Sequence, residues 1–464
     1  MAWHAFAADF ASGAVAPALP IMAYQIIPPQ PFPTLTKLVS VNVLIFGCSN
    51  IIWVPLSNIF GRRPVLLLSM VFFTFASVWC GLASSFDSLL AARAVQGMAG
   101  AVYTVAPTVI AEVFFLHERG RAMAIYTAFL AAGPYAGGIS GSYIASSFGY
   151  QYIFWISTAF AVWSLLMQYL LVPETLFDRE QQVLGDSPPL SGEDGIAQEK
   201  SQISTVERAA GSGVPARYTY IQSLGFGRYR GHWLRHSLAP WLSLRLPGTW
   251  MVVLQYGALV GGVVSTATVG PMFLAAPPYL WGSSVGLFNL GGLVGVAIGA
   301  LFTFLTADYM IKWRAKKEQH GISEPETRLP ILMPGIFLGT IGLWTFGFCA
   351  ANPSAHGWAG LIVGSGMHAA GLTMVPSIGF NYLIEAYGAL SGDCFTMASV
   401  ARSVVGLAWT YFTAEWIMSA GAALPFGVFG MLTAVFGLLA VPLYFSGKRS
   451  RIAIAGFVSE RHGS

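Results

Sequence analysis

Charged side chains are scarce in this chain. The 24 lysines and arginines and the 20 aspartates and glutamates make up only 9% of 464 residues. A soluble globular protein carries about 25% charged residues, so a water-facing surface cannot be built from this set. A net charge of +4 is also too small for the basic footprint of a nucleic-acid-binding protein. With 55% hydrophobic residues, the composition predicts a protein that crosses a membrane many times.

Cysteine pairs and enzyme motifs are also lacking. The 4 cysteines lie far apart inside apolar runs and form no CxxC pair, which argues against a disulfide framework and a zinc site. The chain has no GxxxxGK[ST] loop, so ATP-driven transport is not expected. It has no GxSxG or HExxH string either. The sequence therefore predicts neither an enzyme nor a metal or cofactor site.

Long apolar runs are abundant. A transmembrane helix needs about 20 mostly apolar residues. Segments of this kind number twelve, which predicts spans at 3–25, 36–57, 64–83, 88–115, 122–145, 151–172, 248–275, 283–310, 330–351, 357–383, 393–418 and 423–446. No basic segment precedes the first run, so a secretory signal peptide is not expected.

The positions of the basic residues predict the orientation. Of the 24 lysines and arginines, 21 fall in the loops on one side of the predicted spans or after span 12. Lys37 lies on the other side, and Arg93 and Arg402 lie inside spans. Short basic loops stay in the cytoplasm, so both termini are predicted to be cytoplasmic.

A polar segment divides the spans six and six. It holds 16 charges, acidic at first and only basic from Arg208 onward. The predicted units are an N-terminal six-helix bundle at 1–172, a largely disordered cytoplasmic linker at 173–247, a C-terminal six-helix bundle at 248–446 and a cytoplasmic tail at 447–464. The basic part of the linker is either a plain tether or a segment that lies on the anionic leaflet.

Glycines recur at helical spacing in two spans. Gly133, Gly137 and Gly141 lie four residues apart in span 5, as do three glycines in span 8. Such faces let helix backbones approach closely, and Pro134 removes one backbone hydrogen bond. The glycines either serve tight packing alone or form a bendable seam along which the halves rock.

Four strings occur in a family-like order: Pro55-Leu56-Ser57-Asn58-Ile59-Phe60-Gly61-Arg62-Arg63-Pro64, Arg93-Ala94-Val95-Gln96-Gly97, Gly133-Pro134-Tyr135-Ala136-Gly137-Gly138 and Pro173-Glu174-Thr175-Leu176. Together with the twelve spans they resemble the major facilitator superfamily. More narrowly, the chain is similar to the fungal twelve-span drug:proton antiporter group. Segments 114–123 and 381–387 look like fungal members as well.

The resemblance implies an all-α membrane protein with twelve transmembrane helices in two six-helix bundles. It further implies a cofactor-free, monomeric transporter of the plasma membrane, whose partners are membrane lipid, protons and a small-molecule substrate. Proton-coupled efflux of a drug or secondary metabolite by alternating access is the expected function. Uptake of a cationic nutrient such as a polyamine, by symport or facilitated diffusion, is the alternative, and Asp9, Asp393 and Glu415 would then bear on substrate charge. A membrane sensor that transports nothing is a further alternative.

The first string departs from the family pattern, which usually has Gly and Asp where this chain has Pro55 and Asn58. In the family, that acid and the following arginine latch the cytoplasmic side. Conformational gating is assigned here to Asn58, Gly61, Arg62, Arg63, Glu112, Gly133, Pro134, Gly137 and Gly138. Either the latch is weaker in this chain, or Glu112 replaces the missing acid as the partner of Arg62.

Charges within spans mark function by default. Asp9 lies near mid-bilayer, where a carboxylate can bind a cation or carry a proton, unless the start of its helix is open to the cytoplasm. Family resemblance links Arg93 to proton coupling, and a structural ion pair or snorkelling is the alternative. Asp9 and Arg93 are therefore the proton-coupling candidates. Arg402 either faces the cavity or binds backbone carbonyls of a neighbouring helix.

Other polar and aromatic residues inside spans are candidates for lining the substrate cavity together with Arg402. They are Gln96, Gln255, Tyr256, Asn289 and His368. For each of them, a satisfied hydrogen bond between helices is the competing interpretation.

Overall fold

The computed structural model describes residues 1–26, 28–175, 231, 233–315 and 324–462, and the regular elements in these ranges are all helical. Eleven helical segments there are long and apolar enough to cross a membrane. These are spans 1–10 and span 12, with bounds Ala2–Gln25, Lys37–Phe60, Arg62–Leu82, Phe86–Val113, Glu118–Ser147, Gln151–Leu171, Pro247–Ala275, Gly282–Thr306, Pro325–Ala351, Gly357–Tyr387 and Ala423–Ala453.

The remaining predicted span, span 11, is the continuous helix Ser391–Ala420 of 30 residues. It has the length to cross a membrane, but Arg402 and several hydroxyl side chains make it less apolar than the other spans. Its inner part is buried among other helices, which lets a membrane helix carry such residues.

Several spans are interrupted. Span 1 consists of Ala2–Gly13 and Leu19–Gln25, joined by the 3₁₀ turn Ala16–Ala18. A proline, which has no N–H group, lies in that turn. The other helices are Phe32–Leu35, Lys37–Cys48, Asn50–Phe60, Phe86–Gln96, Val102–Val113, Leu116–Ser147, Asn289–Ala315, Leu332–Ala351, Ala423–Leu438 and Ala440–His462, with 3₁₀ turns Gly97–Ala101, Gly282–Phe288, Pro325–Ile331 and Gly388–Leu390.

The packing of the two halves repeats with a shift of six spans. Spans 1 and 5, 3 and 6, and 2 and 4 pack together, and so do spans 7 and 11, 9 and 12, and 8 and 10. The sequence shows no clear repeat beyond span number and spacing, yet the same helix pairs form in each half. Two six-helix bundles are therefore a property of the structure as well as of the span count.

Several helix pairs join the halves, including spans 5 and 10 and spans 4 and 11. Span 5 packs against span 8, and span 2 packs against span 11. Large apolar side chains elsewhere on the spans point outward, including Phe75, Leu301 and Phe337, each at least 60% exposed. An outer surface of this kind is stable in lipid rather than in water. The chain is thus a multi-pass membrane protein built from two bundles.

The predicted linker contains a helix at its far end. Residues 176–230 lie outside the described residues, so the prediction of disorder is not addressed there. Trp233–Ser243 is helical and packs against spans 2 and 11, one from each half. Ala239 and Ser243 are buried in that contact. The linker therefore ends in a segment that touches both bundles before span 7 begins.

Candidate functional site

Four side chains from four spans meet between the halves. Asp9 of span 1 and Tyr103 of span 4 come from the first half, and Tyr256 of span 7 and Arg402 of span 11 from the second. They line a cavity of about 90 Å³, which we call the central cavity. Span 11 brings its arginine here because it packs against both span 2 and span 7.

Arg402 lies between two aromatic rings. Its guanidinium carbon is 4.0 Å from the centroid of the Tyr103 ring and 5.4 Å from that of Tyr256. A desolvated cation over an aromatic face gains about 2 kcal/mol. Because the two rings belong to different halves, this one cation contacts both bundles. Of the two interpretations of Arg402, the structure supports the one that places it at the cavity.

Asp9 is held by a neighbouring hydroxyl. The Tyr103 hydroxyl donates a hydrogen bond of 2.5 Å to Oδ1 of Asp9. The Cβ of Asp9 also packs against Gly133, so the close contact of spans 1 and 5 fixes the position of the carboxylate. Tyr103 thus contacts Asp9 through its hydroxyl and Arg402 through its ring. It was absent from the sequence candidates, although Tyr256, a tyrosine of the same kind, was among them.

Apart from Ser12 and Thr268, the rest of the central cavity is apolar. Its walls come from both halves and include Val43, Phe46, Leu130, Val260, Val263 and Leu372. An apolar pocket with a few convergent polar groups is the usual form of a small-molecule site. The geometry therefore suits an amphipathic organic molecule rather than a fully polar one.

Arg93 lies outside the residues that line this cavity. It is fully buried, and its Nε and Nη1 donate to the carbonyl oxygens of Leu38 at 3.2 Å and Ala11 at 3.3 Å. Its Nη1 also donates to Gln96 at 2.5 Å, and the Gln96 amide donates to Ser77 at 2.8 Å. Arg93 and Gln96 thus tie spans 1, 2, 3 and 4 together. The proton-coupling role of Arg93 stays a prediction.

Gln255, Asn289 and His368 are bound to backbone carbonyls. The Gln255 amide donates to Phe436 and Gly437, both at 3.3 Å, and so joins span 7 to span 12. The ring nitrogens of His368 lie 2.8 Å from the Gly339 carbonyl oxygen and 2.9 Å from that of Leu259. Asn289 donates to Gly286 at 3.2 Å and packs on Gly138. Of the cavity candidates, only Tyr256 and Arg402 line the central cavity.

The glycine faces predicted from spacing are packing faces. A Cβ at Gly133, Gly137 or Gly141 would meet the backbone of span 1, and the glycines of span 8 face span 10 in the same way. Gly138, on a different face of span 5, lies against Asn289 of span 8, where the halves meet. Span 5 therefore packs tightly inside its own bundle and also forms part of the contact between the bundles.

Ion pairs cluster on the membrane face that carries Arg62, Arg119, Arg328 and Arg451, which we call the basic face. Arg62 Nη2 donates to Glu112 Oε1 at 3.0 Å. Its Nη1 donates to Asn58 at 2.5 Å and to Ser57 at 3.1 Å. Asn58 thus accepts a hydrogen bond without supplying charge, and Glu112 is the ionic partner of Arg62.

Glu174 binds the start of span 3 beside this ion pair, and it had no assigned role in the sequence interpretation. Its two carboxylate oxygens accept hydrogen bonds from the backbone N–H groups of Arg62 at 2.9 Å and Arg63 at 3.2 Å. These groups lie at the start of a helix, where N–H groups lack partners and a negative charge is favourable. Gly61 makes the turn with φ of 105°, which favours glycine. In the sequence, Glu174 stood out only as part of the string Pro173-Glu174-Thr175-Leu176 after span 6.

The second half has a corresponding pair. Arg328, at the start of span 9, donates through Nε to Glu385 at 2.8 Å and through Nη2 to the other oxygen of that carboxylate. Glu385 lies near the end of span 10, as Glu112 lies near the end of span 4. Arg451 donates to both oxygens of Glu326 at 2.8 Å. The arginine–glutamate pair is thus repeated with the six-span shift seen in the packing.

A second cavity of about 430 Å³ opens on the basic face between the halves. Arg62, Glu112 and Arg119 line it from the first half, and Ile384 and Asp393 from the second. On the opposite side of the membrane, Gly286 N–H of the second half donates to Ser142 of the first at 3.1 Å. The larger of these two cavities between the halves therefore opens on the basic face.

We expect Arg62→Ala to slow transport about five-fold without preventing membrane insertion. The Arg62–Glu112 pair is partly exposed, and such a pair is worth about 1 kcal/mol, which equals about a five-fold change in an equilibrium. The bonds from Glu174 to the backbone remain in this variant. Initial flux and surface expression measure the effect. Lys448→Ala, which removes an exposed pair with Glu324 on the same face, is the control, and unchanged flux in Arg62→Ala would refute the latch.

Comparisons with a family model and with curated proteins agree on one family. The model of the Major Facilitator Superfamily matches residues 1–410. The efflux pump atB of Aspergillus terreus is 30% identical over 410 residues, which cover 85% of this chain and 79% of that protein. The citrinin biosynthesis cluster transporter mrr1 of Monascus ruber is 26% identical over 421 residues, with 89% of this chain and 78% of that protein covered.

Solved structures show the same fold at lower identity. The proton:xylose symporter XylE of E. coli superposes with a TM-score of 0.65 at 15% identity, covering 96% of this chain and 94% of the other. At this identity the likeness bears on the fold alone. The arrangement of two bundles described above is therefore an established one.

Proposed function

The chain belongs to the Major Facilitator Superfamily, and from that premise we propose that it exports a small organic molecule in exchange for protons. Members of this fold move substrates by rocking two halves around a site near the midplane. The central cavity, built from both halves, would be that site. Relatives named as an efflux pump and as a biosynthesis-cluster transporter support export, and the Gly-Pro-x-x-Gly-Gly string of span 5 supports antiport.

One observation carries the proposal of proton coupling. Asp9 is the only acid among the described residues that line the central cavity, and it is hydrogen-bonded to Tyr103. A carboxylate inside a membrane protein is costly and is usually part of a substrate or proton pathway. In the proposed cycle, Asp9 takes up a proton from the side to which substrate is released. It gives the proton up when the opposite side opens.

The observed opening suits a transporter that takes substrate from the cytoplasm. The larger cavity lies on the basic face, and the positive-inside rule places that face in the cytoplasm. On this proposal both termini are cytoplasmic, the units have the boundaries predicted from the sequence, and the protein works as a monomer in the plasma membrane. The latch residues on the basic face would then control access from the cytoplasm.

The alternative of polyamine uptake is disfavoured by the site. A polyamine carries several positive charges, and Arg402 lies in the same cavity as Asp9. Glu415 is exposed on span 11, and Asp393 lines the basic-face cavity instead. A single carboxylate beside a buried arginine gives a polycation little net attraction.

Proteoliposomes test the proposal. The purified full chain is reconstituted, and accumulation of three naphthalene probes is followed: a sulfonate, a sulfonamide and a trimethylammonium. An imposed pH gradient should drive at least one probe against its concentration gradient, in the direction opposite to proton flow. If every probe that crosses does so at a rate indifferent to the gradient, antiport is refuted.

A further inference from the structure

The unusual feature of the central cavity is a buried cation that forms no ion pair with any of the described residues. Arg402 is only 7% exposed. It takes part in none of the ion pairs that residues of the described ranges form. Its Nε is buried and has no hydrogen-bond partner among those residues. A buried arginine in this state leaves donors unused at a cost, because unsatisfied charged groups are expensive in the membrane.

The tyrosines around Arg402 interact with its guanidinium but leave the Nε–H without a partner among the described residues. Tyr103 and Tyr256 approach the guanidinium with their ring faces. A cation–π contact stabilises the positive charge without accepting from the Nε–H, which remains for another acceptor. A planar guanidinium with free donors is the group that proteins use to bind carboxylates and similar anions with two parallel hydrogen bonds.

Neither Asp9 nor Asp393 forms an ion pair with Arg402. Asp9 accepts the hydrogen bond of the Tyr103 hydroxyl, and the Tyr103 ring lies against Arg402. Asp393 is nine residues away on span 11, about 13 Å along the helix, and it lines the basic-face cavity. Asp9 attracts Arg402 electrostatically but forms no ion pair with it, so the central cavity presents a positive group whose Nε–H is left for an external anion.

The apolar walls define the other end of the ligand. Val260, Val263 and Leu372 of the second half face Phe46 and Leu130 of the first. The ligand that complements these walls and Arg402 has an anionic head and an apolar body. Such a molecule satisfies the unused Nε–H of Arg402 and removes apolar surface from water at the same time.

We propose that the substrate is a small organic anion whose carboxylate or similar head binds Arg402 between Tyr103 and Tyr256. This inference rests on the proposed function and adds the substrate class to it. Arg402 is the anion-binding residue, the tyrosines position its guanidinium, and Asp9 remains the proton carrier. Arg402 contacts both halves, so an anion bound there is sensed by both bundles.

Binding to the full chain in lipid nanodiscs tests the substrate class apart from transport. Naphthalenesulfonate, naphthalenesulfonamide and naphthyltrimethylammonium share an apolar body and differ in charge, and their affinities are measured by titration. Naphthalenesulfonate should bind most tightly. Arg402→Gln should weaken its binding at least about ten-fold, the value of one charged hydrogen bond of 1.5 kcal/mol or more. It should leave sulfonamide binding within about two-fold.

Two further variants keep the test decisive if Arg402→Gln fails to fold. Arg402→Lys keeps the charge but loses the planar donors, so it should give an intermediate affinity for naphthalenesulfonate. Lys448→Gln removes an exposed positive charge far from the cavity and should leave all three affinities unchanged. Tighter binding of naphthyltrimethylammonium than of naphthalenesulfonate, or equal loss of all three probes in Arg402→Lys, would overturn the inference.

The failure of this inference is distinguishable from the failure of the proposed function. If the pH gradient drives the cationic or the neutral probe but not the sulfonate, proton-coupled export stands and the anion class is wrong. If sulfonate binds in an Arg402-dependent manner and no pH gradient moves any probe, the anion site stands and antiport is wrong.

Discussion

Asp9→Asn should reduce proton-driven transport to the level of empty vesicles. The variant keeps the size of the side chain and can still accept a hydrogen bond from Tyr103, so the cavity should keep its shape. It removes the one acid among the described residues that line the central cavity. Without a group that binds and releases a proton, a pH gradient has nothing to act on at this site. Uptake into vesicles with an imposed pH gradient measures the loss.

The matched control for this variant is Asp87→Asn. Asp87 is an exposed carboxylate in the first turn of span 4, in the same half but outside the cavity. Exchange of labelled for unlabelled substrate at equal pH should persist in Asp9→Asn, because exchange needs rocking but no net proton movement. Undiminished proton-driven accumulation in Asp9→Asn would show that another group carries the proton. Arg93 and its hydrogen-bond partner Gln96 would then be substituted next.

Gly137→Ala should destabilise the protein by about 1–3 kcal/mol, the usual cost of overpacking a tight contact. A Cβ at this position would overlap the carbonyl oxygen of Phe10 on span 1. Backbone atoms cannot move aside as a flexible side chain can, so spans 1 and 5 must separate. Asp9 lies one residue from Phe10, and transport should therefore fall together with the thermal denaturation temperature, which is the primary measurement.

Gly427→Ala is the control for this substitution. A Cβ at Gly427 of span 12 would have no atom within 4 Å among the described residues, and alanine is a better helix former than glycine by up to about 1 kcal/mol. This variant should be as stable as the natural chain or slightly more so. If the two glycine variants denature at the same temperature, the close contact of spans 1 and 5 is not a stability determinant.

Much of the fold is predictable from the sequence, because a helix that crosses lipid needs a long apolar run. Eleven predicted spans are confirmed by length and composition, and span 11 lies at its predicted place as a more polar helix. The four-residue spacing of Gly133, Gly137 and Gly141 also predicted a single packing face, and these residues do face span 1. Local periodicity is sufficient for such features.

The site was less predictable because it depends on which helix faces point inward. In membrane helices both faces are apolar, so hydrophobicity does not rank them. Arg93 and Arg402 are both arginines inside predicted spans, yet one binds carbonyl oxygens of spans 1 and 2 and the other lines the central cavity. The cap that Glu174 provides for span 3 joins residues more than a hundred positions apart. Contacts between residues so far apart in the chain leave no local sequence pattern.

The latch shows an intermediate case. The replacement of the usual family acid by Asn58 raised the expectation that Glu112 pairs with Arg62, and the structure contains that pair. The equivalent pair of Arg328 and Glu385 was not predicted, because the second half has no matching loop string. A structural repeat can thus survive where the sequence repeat is lost.

Substrate-dependent proton movement tests the central claim most directly. Proteoliposomes with a pH-sensitive dye inside receive each of the three naphthalene probes outside, with no initial pH gradient and with the membrane potential clamped. Inward movement of the transported probe should make the interior more alkaline as protons leave, and Asp9→Asn should abolish this change. Probe entry with no change in internal pH would contradict the account, as would an acidification that reveals symport.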